Sequence, residues 1–416
     1  MRTGLSALLA SALISAYLGS AQAAAPKEIR IGDLYASSGR FAAVSMSLHD
    51  GLLLWANQTN AAGGAYVGAY HKRIPVRLVS YNDQSNTATV ATLTDQLITQ
   101  DKVDVLVADF GSVLTSVSVP IAREHKMLLI NPSGTGAPLF SKNNPYVALV
   151  AQPASTVAMR YVTAFLATEA KRGTIHRIAI LYDTNDFSGA QATVLKEELQ
   201  NSGAPLKIVY DKGVPTSTSD YTLLITGLQA ARPDFVFELG YPENDIAFLR
   251  GLQDTGTHFG GVFANFPGWE PDLVAKAAGV AADKGTFTFM PGMFLAYKTT
   301  AGMTAAEFHA AWLKAYPDGK VAYGLNAAVG YVTGVAIDQM LAHAPNLSQL
   351  GLRQGLFAAS GKLVTLQGPF QLAPDGEQIG EINAVGQVWP DGKGGVKLRA
   401  VYPPDVATDK PVLNGG

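Results

Sequence analysis

Five short polar segments hold the residue types that could bind or react with a small molecule. Asp109-Phe110-Gly111-Ser112 opens a helical stretch, so a hydroxyl and the free N–H groups of a helix start come together. With the positive end of the helix macrodipole, that combination suits a carboxylate or another anion. Asn131-Pro132-Ser133-Gly134-Thr135-Gly136 adds hydroxyls, and glycines whose backbone N–H groups can approach a ligand. Ser37-Ser38-Gly39-Arg40-Phe41, Asp183-Thr184-Asn185-Asp186-Phe187 and Gly240-Tyr241-Pro242-Glu243-Asn244 complete the set. Each also has a plainer reading. Ser112 fits an N-cap, Gly134 and Gly136 fit turns, Phe187 a core aromatic and Glu243 a solvated first-turn carboxylate.

Catalysis finds little support in the same residues. There is no Gly-x-Ser-x-Gly elbow, and neither Ser112 nor Ser133 has a histidine nearby in sequence. The 7 histidines are scattered, with no His-Glu-x-x-His and no i, i+4 pair. Neither phosphate-binding glycine motif is present, and with 0 cysteines there is no thiolate nucleophile, thiolate metal site or disulfide. Asp183 and Asp186 are close enough to suggest a metal, but carboxylates at such loops are more often caps. The expectation is a binding protein with no catalytic residues, no metal and no cofactor.

The five segments share a position, since each follows a β-rich run. Ile29 to Leu34, Val103 to Ala108 and Met127 to Ile130 read as strands, as does Ile74 to Tyr81. Helical stretches at Ala43 to Ala62, Thr87 to Gln100 and Ser112 to Glu124 alternate with them. The pattern restarts at Arg177 to Tyr182 and runs through Asp234 to Leu239 and Gly260 to Ala264. Two βα series predict an α/β fold of two doubly wound, Rossmann-like lobes, whose ligands sit at the carboxyl ends of the strands. Gly285 to Met290 reads as a further strand, three helical segments follow, and Gly368 to Tyr402 reads as an antiparallel edge or hinge.

The N-terminus has the form of an export signal. Arg2 precedes an apolar run from Leu5 to Leu18, and Ala21-Gln22-Ala23 is a small-x-small cleavage pattern. Residues 1–23 are therefore read as a signal peptide. Without a cysteine the product cannot be lipid-anchored, which points to a periplasm. Charged residues make up 15% of the chain, the formal net charge is -2, and no Lys/Arg block occurs, so a nucleic-acid partner is not expected.

The segments Ile29–Gly39, Asn60-Ala61-Ala62-Gly63-Gly64, Asn82-Asp83-Gln84-Ser85, Val103–Pro120 and Ser219-Asp220-Tyr221 resemble those of type I periplasmic solute-binding proteins. The resemblance is above all to the branch around the leucine/isoleucine/valine-binding protein, and it covers nearly the whole chain beyond the signal. It implies a three-strand hinge, with lobe one at 26–153 and 268–380, lobe two at 154–267 and 381–404, and a tail at 405–416. It further implies an α-carboxylate held by Ser112, Ser133 (through its backbone) and Thr135, and covered by Phe187 where the family usually has Tyr. A ligand ammonium would pair at Glu243 or Asn244. Ser38, Asp109, Phe110 and Tyr241 complete the expected ligand-binding set. Asp109 and Phe110 depart from the family's small residues there. Facing a bound anion, Asp109 would repel it, so it either points away or meets a donor on the ligand. The implied function is the periplasmic substrate-binding protein of an ABC importer, a monomer that delivers its solute to membrane permease subunits. The ligand would be a small carboxylate such as a hydrophobic or branched-chain amino acid. The alternatives are an amine-free aromatic or aliphatic carboxylate or amide, or a soluble periplasmic sensor.

Overall fold

The computed structural model describes residues 24–319 and 321–413, so the expected signal at 1–23 lies outside the described residues. Lobe one begins with β1 (Ile29–Tyr35), α1 (Ala42–Ala61), the hairpin β2 (Ala65–Val67) and β3 (Lys72–Ile74), β4 (Val76–Asn82) and α2 (Thr87–Thr99). It continues with β5 (Val105–Val107), α3 (Gly111–Glu124), β6 (Leu129–Asn131) and β7 (Val147–Leu149). A parallel sheet forms in the order β4-β1-β5-β6-β7. Strands β5, β6 and β7 are buried at every position, as strands covered on both faces must be. The order turns back between β1 and β5, which places the loops after those two strands at the switch point where such sheets bind ligands.

The chain then crosses to lobe two through α4 (Ser155–Lys171), β8 (Arg177–Asp183), α5 (Ser188–Asn201), β9 (Lys207–Val214) and α6 (Thr222–Ala231). Next come β10 (Phe235–Leu239), α7 (Pro242–Asp254), β11 (Gly261–Ala264), the short helices α8 (Phe266–Trp269), α9 (Pro271–Ala278) and α10 (Val280–Asp283), and β12 (Phe287–Met290). It returns to lobe one for α11 (Ala305–Ala315), α12 (Leu325–His343), α13 (Gln349–Ala359) and the hairpin β13 (Leu363–Thr365) and β14 (Gly368–Phe370). A last crossing leads to β15 (Ala384–Pro390) and β16 (Val396–Tyr402). The second sheet runs β9-β8-β10-β11-β12-β15-β16, parallel as far as β12 and antiparallel beyond it. Its first five strands repeat the strand order of lobe one.

One expected boundary moves. The sequence reading places residues 268–380 in lobe one, yet β12 is hydrogen-bonded into the second sheet, Phe287 pairing with Phe263 on one side and Gln387 on the other. The physical reason is burial: Phe287 and Phe289 are fully covered, their rings against Phe235 and Phe263 at 5.3 and 4.9 Å. The middle crossing therefore falls after Met290, at Pro291-Gly292.

Lobe one is closed on its outer side by α12, which is buried from Leu325 to Ile337 and packs along α1. The two backbones touch. A Cβ at Gly330 would stand 1.8 Å from the Leu48 carbonyl oxygen, and one at Gly51 would stand 2.1 Å from that of Ala327. Glycine is needed there for space rather than for dihedral freedom.

Candidate functional site

The lobe-one half of the cleft is built from the turns after β5 and β6. Helix α3 starts at Gly111 with φ +74°, and Gly111 N–H donates to Ser133 Oγ at 2.9 Å. Gly136 N–H donates to Ser112 Oγ at 3.0 Å, and Ser155 Oγ donates to Thr135 Oγ1 at 3.1 Å. Asn131 braces the loop by accepting from Gly134 N and donating to Gly134 O, both at 2.7 Å. Ser112, Ser133 and Thr135 are thus brought together, nearly buried, beside the start of α3. The arrangement offers hydroxyls and a helix N-terminus to an anion.

Asp109 does not compete with that role. Its carboxylate accepts from Ser45 Oγ at 2.5 Å and from Phe110 N–H at 2.6 Å. Burial, then the charge of Asp83, raises its pKa well above the ordinary range. Ser38 lies on the exposed rim, its carbonyl accepting from Ser85 Oγ at 2.9 Å.

The lobe-two half is a wall of rings. Tyr241 is buried, with ring centroids 4.9 Å from Phe41, 6.1 Å from Phe110 and 5.2 Å from Phe187. Trp269 continues the wall, 5.8 Å from Phe187 and 5.2 Å from Phe266. Tyr241 reaches across the cleft, because a Cβ at Gly111 would lie 3.1 Å from its hydroxyl oxygen. That hydroxyl is buried without a hydrogen-bond partner. Burial pushes its pKa up. The lobes also meet at Gly136, where a Cβ would stand 2.4 Å from the Asp186 carbonyl oxygen.

Arg40, after β1, joins the lobes by charge. Its Nη2 donates to Asn244 Oδ1 at 2.6 Å, and its Nε lies 3.3 Å from Glu243 Oε2. Asn244 is buried and also donates to the carbonyls of Thr216 and Thr218 at 3.2 and 3.1 Å. Glu243 is exposed. Both residues offered for a ligand ammonium are therefore engaged by Arg40. Beneath them, Asp183, Glu238 and Asp245 are buried together, and Tyr221 donates to Glu238 at 3.1 Å. Burial, then the charge of Glu238, pushes Asp183 up to about 8.

Towards the hinge the cleft continues as a narrow cavity. Thr135 and Leu325 line it from lobe one, Gln191 and Trp269 from lobe two, and Gln152, Gly292 and Glu381 from the three crossings.

A family profile described as periplasmic binding protein matches residues 28–393. The chain belongs to that family. Its members are solute-binding proteins rather than enzymes. This periplasmic binding protein is 23% identical over 420 residues to Leu/Ile/Val-binding protein homolog 8 of Brucella suis biovar 1, with 98% of each chain covered. Its fold is similar to that of a leucine binding protein from Thermotoga maritima, with a TM-score of 0.74, 17% identity, and 91% of this chain and 99% of that one covered. It is also similar to an ABC transporter solute binding protein from R. palustris in complex with benzoate, with a TM-score of 0.71, 18% identity, and 90% and 96% covered. Such likeness establishes the two-lobed α/β fold of the periplasmic binding protein. Among the described residues no helix is long and apolar enough to cross a membrane, and no group of His, Cys, Asp and Glu could hold a metal ion.

The structure brings Ser112, Ser133, Thr135, Phe110, Phe187 and Tyr241 of this periplasmic binding protein to one cleft. It leaves Ser38 on the rim and turns Asp109 towards Ser45 and Asp83. Sequence reasoning missed the role of Arg40, and it missed Gln152, Gln191, Gln367, Glu381 and Asn383 altogether. Arg40 was visible as a cation in a post-strand loop, but its partners are about two hundred residues away. The cavity residues lie in hinge crossings, a helix and a hairpin turn, where attention to strand ends does not reach.

Proposed function

We propose that this periplasmic binding protein is the substrate-binding component of an ABC importer. It is exported through its N-terminal signal, stays unanchored in the periplasm as a monomer, and delivers its solute to the permease subunits. The cleft takes a small carboxylate with an apolar body, such as a hydrophobic or branched-chain amino acid. The observation that carries this reading is the convergence of Ser112, Ser133 and Thr135 at the start of α3, beneath a wall of rings. The likeness to a leucine binder and to a benzoate complex supports it, since both ligands are carboxylates.

The carboxylate docks first on lobe one, whose donors are already held in place. Lobe two then closes by a hinge motion, laying Tyr241, Phe187 and Trp269 over the apolar body, and Arg40 completes the closed form by bonding Asn244. Isothermal titration with Ser112→Ala and Thr135→Ala tests the grip. Each charge-assisted hydrogen bond lost should weaken binding about tenfold or more. Unchanged affinity in both variants overturns it. One observation favours an amine-free acid as a second reading: Glu243 and Asn244 are both taken up by Arg40. A thermal-shift screen of amino acids against aromatic and aliphatic acids separates the two.

A further inference from the structure

The hinge-side cavity gathers polar groups that lack partners. Gln152 stands in the first crossing, Glu381 and Asn383 in the last, and Gln367 in the turn between β13 and β14. All are at least nine-tenths buried, the most open showing 4% of its surface. The carboxamides of Gln152 and Asn383 meet no hydrogen-bond partner among the described residues. Gln367 Oε1 accepts from Met293 N–H at 3.2 Å, but its Nε2 is unpartnered. Glu381 has one long contact, accepting from Gln378 Nε2 at 3.3 Å.

Buried polar atoms are nearly always satisfied, and each one left unmet costs its full desolvation. Gln367 Nε2 is such an atom, and with the carboxamides of Gln152 and Asn383 around the same cavity it points to a polar group that the cavity receives. Its chemistry follows from the lining. No Lys, Arg or His borders the space, and its one ionisable side chain is Glu381, whose pKa burial raises well above the ordinary carboxylate range. Ionised in so buried a place, that carboxyl calls for a cation or a group rich in donors, and it disfavours a second anion. A primary ammonium has three donors and no acceptor. It can bond Glu381 and the amide oxygens of Gln152 and Asn383, with the Trp269 ring as an apolar and cation-tolerant wall. The free N–H of Gln367 then suits an acceptor beside that ammonium, as a zwitterion provides.

We infer that this cavity is the amine subsite of the solute site, with Glu381 as the anion that pairs the ligand's ammonium in place of Glu243 or Asn244. The inference rests on the carboxylate reading above, because Thr135 borders the same cavity and joins the two subsites. Residues of all three crossings line it, so an amine held there bridges the hinge itself. Amine recognition and lobe closure are then one event.

Isothermal titration of the exported protein with two pairs of ligands tests the assignment: leucine against 4-methylpentanoate, and phenylalanine against 3-phenylpropanoate. At least one amino acid should bind about 10- to 100-fold more tightly than its deaminated counterpart. Glu381→Gln, nearly isosteric, should shrink that preference to within about threefold. Asn383→Ala should act in the same direction by less, and Glu243→Gln should preserve the preference. Deaminated acids binding as tightly as amino acids, or a preference that survives Glu381→Gln, overturns the subsite alone. Failure of all four acids to bind overturns the carboxylate reading and the subsite with it.

Discussion

The two lobes share one strand order but carry different chemistry at the same edge. In lobe one the strands are aliphatic, and the loops beyond them end in hydroxyls and backbone N–H groups, held by the bonds from Gly111 to Ser133 and from Gly136 to Ser112. In lobe two the strands are packed with Phe235, Phe237, Phe263, Phe287 and Phe289, and the edge ends in rings over buried acids. Topology decides where the loops point, and side-chain type decides what they do there. A donor set fixed before binding loses little entropy when an anion arrives. A wall of rings has no hydrogen-bond geometry to satisfy, so it can close over apolar bodies of several shapes.

That division can be broken most severely at Gly136, where lobe one meets lobe two with no space for a side chain. Gly136→Val would press its Cβ on the Asp186 carbonyl and on Ser112 Oγ, which lie 2.4 and 3.1 Å from that position. Closure should fail, and affinity should fall by about 100-fold or more, while the lobes themselves stay folded. Titration calorimetry alongside a thermal melt checks this, and near-native affinity would show that the contact is not needed for binding.

A second difference concerns buried acid. Asp109 in lobe one has two hydrogen bonds, whereas both carboxyl oxygens of Asp183 in lobe two lack partners. Asp183 is pushed up to about 8, far above the ordinary carboxylate range, by burial and then by the charge of Glu238. Below about pH 4 both the folded and the unfolded chain hold its proton, so it costs nothing. As pH rises from about 4 to about 8 the unfolded chain ionises first, and stability falls until the folded form ionises too. Asp183→Asn should therefore raise stability by a few kcal/mol near pH 8, by less near pH 6, and by nothing near pH 4. Thermal melts at the three pH values measure it. A pH-independent effect of the substitution sinks the account.

Much of this was legible in the sequence, for a local reason. Ser112, Ser133 and Thr135 follow strands that their own apolar runs announce, and parallel sheets put ligands at those ends. What stayed hidden depends on distant partners. The direction of Asp109 is set by Ser45 on α1 and by Asp83 beyond β4. Strand β12 could be recognised from Gly285 to Met290, but not the lobe it joins, because that depends on Phe263 and Gln387 as neighbours. The choice between Glu243 and Asn244 could not be made from register either. Arg40 claims both of them from the other lobe.

Arg40 sharpens the comparison, since it is the cation by which lobe one holds lobe two. Its bond to buried Asn244 is short and charge-assisted, so Arg40→Ala should weaken binding about tenfold by making the closed form less favourable. Titration calorimetry at low and at moderate salt reads this, and most of the loss should persist when salt is raised, because the Asn244 bond is shielded from solvent. An affinity unchanged by the substitution would remove Arg40 from the closing contact.

The smallest effect is expected at the other partner. Glu243 has 55% of its side chain exposed where it meets Arg40. An ion pair so open to water contributes about 0–1 kcal/mol and is screened by salt. Glu243→Gln should therefore change affinity by no more than about threefold, with the change fading as salt is raised. If it instead weakened binding as much as Arg40→Ala, the exposed pair rather than the buried Asn244 bond would be holding the lobes. A selective loss of amine-bearing ligands in that variant would return the ammonium to Glu243 and away from the hinge. Substituting the guanidinium and then its exposed partner thus separates a contact that closes the cleft from a contact that reads the ligand.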